Sequence, residues 1–360
     1  MTKVLYLAPY YDGTGYSSAA IDYILSMDKV GIDVVPRPIK LNNLNDKIPQ
    51  RILELEAKSD KGCDIVIQHC LPNMFHYNSN FKNIGLFAWE TSALPLNNWT
   101  EKCNLMDEIW VINNHMKAVC ISSGVTVPIK VVPHATDVDK FKIKYPKPNC
   151  IEILKNKFVF YTIGEAVRRK NLTALLIAFN LEFYDNHNVE LIVKTNKNIT
   201  KDLMNLVEGC KLFRDKNEYK SPFLMSHRMN EDELYAMHQH ADCFVTTSYG
   251  EAWCIPAFDA IGFGSTPIVP RSTGFNDYMN SDIGWTVDTW EIPVLAVNDS
   301  LPGLYTAHSN WYSVDTNDLR KCLRESYENK QMKQEKLFKG IEYVERFSHQ
   351  NIGEVIKSLL

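Results

Sequence analysis

Apolar residues along this chain fall into short continuous runs separated by stretches of helical period. Lys3 to Ala8 (KVLYLA), Ile32 to Val35, Asp64 to Gln68, Asn83 to Phe87, Glu108 to Ile112 and Ile129 to Val132 each read as a strand of roughly four to six residues. Runs without polar alternation are what a parallel sheet needs, because helices cover both of its faces. Between them, Ser18 to Met27 and Asn113 to Ser123 carry helical spacing. The alternation then begins again at Phe158 to Ile163, followed by a helix with apolar positions at Leu172, Leu175, Leu176 and Phe179. Val189 to Lys194 and Cys243 to Thr246 add strands, and Asn230 is placed to cap a helix running to His240. The stretch from Lys142 to Asn156 is rich in Lys, Pro and Asn, and separates the two series as a linker. The pattern predicts an α/β chain of two doubly wound domains.

Length agrees, since 360 residues suit two domains of about 100–200 residues each. Thirty-nine Lys and Arg against 43 Asp and Glu leave a net charge of −4, so no bulk field draws the chain to a phosphate backbone. Nine cysteines without a C-x-x-C pair argue against a disulfide framework or a closed zinc site, and a reducing cytoplasm is the expected location. Val4 to Pro9 is too short for a signal peptide, and charges interrupt every window of membrane-spanning length. Membrane contact is expected to be peripheral at most.

The chemistry concentrates between Thr247 and Asp277, TSYGEAWCIPAFDAIGFGSTPIVPRSTGFND. A short strand leads into a loop with Gly250 and Glu251, and a helix starts near Pro256, where a ring without an N–H is tolerated. A loop on a helix N-terminus offers N–H groups and a positive dipole end to an anion, most naturally a phosphate. Glu251 and Asp259 flank that anion site. Upstream, Arg168, Arg169 and Lys170 precede a helix, where cations oppose the dipole unless an anion lies nearby. At the N-terminus, Gly13 and Gly15 follow a strand and precede a helix, but a third glycine is missing, so a dinucleotide fingerprint is not complete. His238 and His240 lie two apart on a helix of about 3.6 residues per turn and point roughly 200° apart, so no metal is expected there.

Several of these pieces resemble the retaining nucleotide-sugar glycosyltransferases of the GT-B fold, family 4 (glycosyl transferases group 1). The family's E-G-F-G-x-x-x-x-E is similar to Glu251-Ala252-Trp253-Cys254 followed by Asp259, and its later strand and Gly turn to Thr266-Pro267-Ile268-Val269 and Thr273-Gly274-Phe275-Asn276-Asp277. Its W-E-x-x-x-x-P-x-x-W form is similar to Trp89-Glu90 with Pro95 and, one residue later than in that form, Trp99, and its V-x-P-x-G-V-D-x-x-x-F to Val131 through Phe141, without the glycine. Pro302-Gly303-Leu304-Tyr305 and Asn310-Trp311-Tyr312, read as parts of a long loop, and the closing segment Phe347 to Leu360 extend the likeness over nearly the whole chain. Glu165 stands where the family usually has arginine.

The resemblance implies two Rossmann-like domains with parallel sheets facing across an interdomain cleft. Residues 1–145 would form the acceptor-side domain, with a closing helix at 347–360 packing back on it, and residues 146–346 the nucleotide-sugar domain. It implies sugar transfer with retention to a hydroxyl acceptor such as a glycan or glycoconjugate, from a UDP-sugar ahead of a GDP-sugar, without metal or other cofactor. Glu251, Arg169 and Lys170 would be catalytic, and Gly13, Gly15, Ala252, Trp253, Cys254, Ile255 and Asp259 would bind the donor. Glu90 and His134 would meet the acceptor, against a packing or local hydrogen-bonding role for each. Two alternatives stay open: a non-catalytic nucleotide-sugar or glycan-binding relative, and an enzyme whose acceptor is a modified nucleic-acid base, which the acidic balance disfavours.

Overall fold

The computed structural model describes residues 2–154, 156–195, 201–211, 221–295 and 303–360. The chain divides into two compact units. The first comprises Met1–Lys140, Leu301–Ser309 and Glu345–Leu360, and the second Phe141–Ser300 and Asn310–Val344.

In the first unit, six parallel strands stand in the order β2-β1-β3-β4-β5-β6: β1 (Lys3–Ala8), β2 (Asp33–Pro38), β3 (Ile65–His69), β4 (Lys82–Phe87), β5 (Glu108–Val111) and β6 (Ile129–Val131). All six are the strands foreseen from the apolar runs, shifted by at most a few residues at their ends. β3 shows why the runs are continuous: each of its five residues is buried. The Gly15–Lys29 helix follows β1 and is capped by Thr14, whose side chain accepts from the Ser17 N–H. Tyr23, Ile24 and Met27 of this helix are buried with Val4, Tyr6 and Ile67 of the sheet.

The chain's last helix, His349–Leu359, packs on Gly15–Lys29 within this unit. Gly353 permits the approach, because a Cβ there would stand 2.4 Å from the Ser26 carbonyl oxygen and 2.6 Å from Val30. His349 Nε2 meets Asp22 at 2.7 Å, and Lys357 donates to the Val30 carbonyl at 3.0 Å.

The second unit has a parallel sheet ordered β10-β7-β8-β9, formed by β7 (Phe158–Ile163), β8 (Val189–Lys194), β9 (Phe223–Met225) and β10 (Cys243–Phe244). β11 (Ile268–Pro270) pairs in parallel with β12 (Trp285–Val287) and continues this sheet, through a bridge from Val245 to Ile268. β13 (Thr289–Pro293) and β14 (Asn310–Val314) form an antiparallel ribbon. Asn310-Trp311-Tyr312 is therefore strand rather than loop, with Trp311 buried, while Pro302 lies outside the described residues.

The expected linker is partly folded. It contains a short helix, Asn149–Glu152, and its Tyr145 packs against Tyr235 and Phe263. Asn230 caps Glu231–His240 in a capping box with Glu233. The two histidines of that helix serve different partners: His238 Nδ1 bonds the Tyr161 hydroxyl at 2.6 Å, and His240 Nε2 the Tyr145 carbonyl at 2.8 Å. No helix among the described residues is long and apolar enough to cross a membrane.

Candidate active site

Two loops at the carboxyl ends of neighbouring strands build the site of the second unit. The first leaves β7 at Gly164, makes one 3₁₀ turn over Arg168–Lys170 and reaches Asn171, whose left-handed φ of 48° turns the chain into the Leu172–Phe183 helix. Asparagine is among the few residues that enter this region readily. The aliphatic chain of Lys170 lies over Gly164, where an added Cβ would stand 3.4 Å from Lys170 Cε. Glu165, in the family's arginine position, is exposed.

The second loop leaves β10, pairs with the first and ends on the Ile255–Gly262 helix. Tyr249 N–H donates to the Arg169 carbonyl at 2.8 Å, and the Thr247 hydroxyl to the Asn171 carbonyl at 2.8 Å. Through these bonds Arg169, Lys170 and Glu251 converge, although 81 positions separate Lys170 from Glu251. Lys170 Nζ lies 2.5 Å from Glu251 Oε1 and Arg169 Nη1 3.0 Å from Oε2, and Arg169 also donates to the Gly250 carbonyl at 2.6 Å. The Glu251 side chain is 8% exposed, against 21% for Arg169 and 20% for Lys170, so solvent screens these pairs little. Burial works against the charged carboxyl. The two cations, with hydrogen bonds from Lys170 and Ser248, outweigh it and hold the Glu251 pKa down to about 2. The anion that the cations before the Leu172–Phe183 helix called for is thus supplied within the protein by Glu251.

Glu251 is also fixed through its backbone. Its N–H donates to Thr273 Oγ1 at 3.2 Å, and its carbonyl accepts from Gly274 N–H at 2.9 Å. Thr273 has φ 50°, a conformation costly for a β-branched residue and one that marks functional turns. This anchor, and Ser248, were not foreseen as site residues. The Gly-rich turn was visible at 273–274, but nothing in the sequence said that it would grip Glu251. Cys254, where the family has glycine, is left-handed at φ 66° and caps the helix with no side-chain hydrogen bond. Burial pushes its thiol up to about 12. Pro256 sits in the first turn, Ile255 begins the helix, and Trp253 packs on Phe258 and Tyr278, whose hydroxyl donates to the Trp253 carbonyl at 2.7 Å. Asp259 is buried one turn into the same helix.

The remaining candidates lie in the first unit. Gly13 takes φ 59°, and a Cβ at Gly15 would meet open space, so the backbone of this loop is approachable. Next in the chain, the Tyr16 hydroxyl bonds both backbone groups of Ala88, accepting from its N–H at 3.0 Å and donating to its carbonyl at 3.1 Å. Trp89 is buried, with Trp99 edge-on at 4.8 Å and Tyr305 stacked on it at 5.2 Å and 20°. The Trp–x₉–Trp spacing therefore has a packing basis. Glu90 accepts a hydrogen bond from the Tyr305 hydroxyl. His134 is buried with its ring 5.7 Å from Tyr23, and burial takes its pKa down to about 3. His69, the residue just after the expected run Asp64 to Gln68 and not foreseen as a site residue, lies in the same cluster with its Nδ1 2.8 Å from the Tyr6 hydroxyl. Burial first, then His134, brings its pKa to about 3 as well.

Among the described residues no group of three or more His, Cys, Asp and Glu converges as a metal site would require.

Residues 147–292 match the family model described as glycosyl transferases group 1. No curated protein sequence matches the chain. Solved structures share its fold over nearly all of its length. Sucrose-phosphate synthase from Thermosynechococcus elongatus is 12% identical at TM-score 0.67, covering 100% of this chain and 98% of that one. The trehalose-6-phosphate synthase OtsA is 9% identical at TM-score 0.69, covering 99% and 98%. HepE from Anabaena, solved with UDP and glucose, is 11% identical at TM-score 0.66, covering 100% and 99%. The fold is GT-B.

Proposed function

We propose that this GT-B protein, whose second unit carries a glycosyl transferases group 1 region, moves a sugar from a nucleoside-diphosphate sugar to a hydroxyl acceptor with retention of anomeric configuration and without a metal. The observation that carries the reading is the convergence of Arg169, Lys170 and Glu251 beside the uncapped N-terminus of Ile255–Gly262. Departure of a nucleoside diphosphate is the costly step. Two fixed cations and the N–H groups of 252–255 would meet the charge that grows on it, in a site little screened by water. Glu251 would hold the sugar's hydroxyls, and Asp259 the ribose. No protein nucleophile is invoked, since the leaving phosphate can take the acceptor proton on the same face. HepE, of like fold, was solved with UDP, which supports a uridine nucleotide. A glycan or glycoconjugate acceptor, bound near Glu90 and His134, fits the same scheme, with Gly13 and Gly15 kept as donor-binding residues. Cytoplasmic location fits the nine cysteines.

The reading is tested by measuring nucleotide release from a panel of UDP-, GDP- and ADP-sugars, with the product anomer assigned by NMR. One donor should be turned over with retention, and excess EDTA should leave the rate unchanged. Saturable donor binding without nucleotide release would make the chain a binding protein, and activity lost to EDTA and restored by manganese would overturn the metal-free mechanism.

A further inference from the structure

Resting on that reading of Glu90 as an acceptor contact, we propose that Tyr16 and Tyr305 are positioning residues that together aim the Glu90 carboxylate. The strand ladder through β4 ends at Phe87, which pairs with Val111. The following residue, Ala88, would leave the sheet with both backbone groups wanting partners. The Tyr16 phenol takes both, as an adjoining strand would, with bonds of 3.0 and 3.1 Å. The direction in which the chain departs toward Glu90, two residues on, is therefore set by a side chain in the first turn of the Gly15–Lys29 helix. Tyr16 in turn rests against the His69 ring, 5.3 Å between centroids.

The second hold comes from far along the sequence. Tyr305, in a segment 303–309 that clusters with the first unit, stacks on Trp89 and donates its hydroxyl to Glu90 Oε1, 215 positions away. His308 of the same segment bonds the Leu94 carbonyl at 2.9 Å. Trp89 is itself fixed by Trp99 and by bonds from its Nε1 to Thr91 Oγ1 at 2.8 Å and the Ala93 carbonyl at 2.9 Å. The backbone before Glu90, the ring beside it and one of its carboxylate oxygens are thus each bonded to a defined partner. A general packing role would not need a hydroxyl on either tyrosine. Preorganisation of a substrate-binding carboxylate does.

The test uses Tyr16→Phe, Tyr305→Phe, Glu90→Gln and the Tyr305→Phe/Glu90→Gln double variant of the full chain. With the donor that the wild type turns over, and molar glycerol as hydroxyl probe, the partition between transfer and hydrolysis is measured. Tyr305→Phe and Glu90→Gln should each shift it about tenfold toward hydrolysis. The double variant should go no further than Glu90→Gln alone, because both changes act through one carboxylate. Hydrogen exchange of the peptide spanning 86–94 should accelerate at least tenfold in Tyr16→Phe and remain as in wild type for Glu90→Gln. An unchanged partition in Tyr305→Phe, multiplying effects in the double variant, or undisturbed exchange in Tyr16→Phe would each overturn the proposal. A wild type that releases no nucleotide from any donor would instead overturn the glycosyl-transfer reading, and the exchange measurement would still decide the hold on Ala88.

Discussion

Replacing Glu251 by Gln should separate binding from chemistry at the proposed donor site. The carboxylate is held by Lys170 at 2.5 Å and Arg169 at 3.0 Å, and its pKa is about 2. Against an unfolded value near 4.3, that difference corresponds to roughly 3 kcal/mol of interaction with its surroundings at neutral pH. A diphosphate approaching the same cations must share them with this carboxylate. The amide keeps the shape and removes the competing charge, so UDP should bind the variant at least as tightly as wild type, with a gain of up to about 100-fold if the cations transfer fully. Sugar transfer should fall by a factor on the order of 100, because the lost acceptor of the sugar hydroxyls is needed most as the bond breaks. Calorimetric titration with UDP and a nucleotide-release assay supply the two numbers. A more than tenfold loss of UDP affinity, or transfer at the wild-type rate, would refute this assignment of Glu251.

Asp259→Asn should behave differently, weakening UDP and the nucleotide-sugar together by roughly 1.5–3 kcal/mol, as expected for a contact to the shared ribose. Equal affinities for wild type and variant, by the same titrations, would remove Asp259 from the donor site. The buried histidines make a pH prediction. His69 and His134 have folded pKa values near 3, below the unfolded value near 6.5, so the unfolded chain takes up protons that the folded one refuses. Stability should be greatest well above pH 6.5 and fall toward pH 3, by about 2 kcal/mol per histidine between pH 8 and 5. Urea unfolding followed at several pH values should show a shallower slope in His134→Gln, and an identical slope would contradict the burial argument.

Much of the fold could be read because its central strands are buried on both faces. Lys3–Ala8, Phe158–Ile163 and Val189–Lys194 match the expected runs residue for residue. The strands passed over are short or peripheral: Phe223–Met225 at a sheet edge has three residues, and Thr289–Pro293 exposes Trp290 and Glu291 and ends in a proline. Such segments are defined by their partners more than by their own periodicity. The linker composition likewise hid Tyr145, Ile151 and Leu154, whose burial depends on surfaces supplied from elsewhere in the chain. At the site, the types and spacing of Arg169, Lys170 and Glu251 pointed to anion chemistry. Their mutual pairing was not legible, since the pairing of β10 with β7 brings it about. The φ of 66° at Cys254 gives a physical reason for the family's glycine at that place, while Thr273 and Tyr305 carried no local signal of the carboxylates they hold.

The central claim is that Arg169 and Lys170 receive a nucleoside diphosphate. Its most direct test is calorimetric titration of UDP into the wild type and the Arg169→Ala/Lys170→Ala variant at fixed ionic strength, with folding of both checked by circular dichroism. Loss of two charge-assisted contacts should lower affinity by a factor on the order of 100 or more. Equal UDP affinity in a folded double variant would contradict the account.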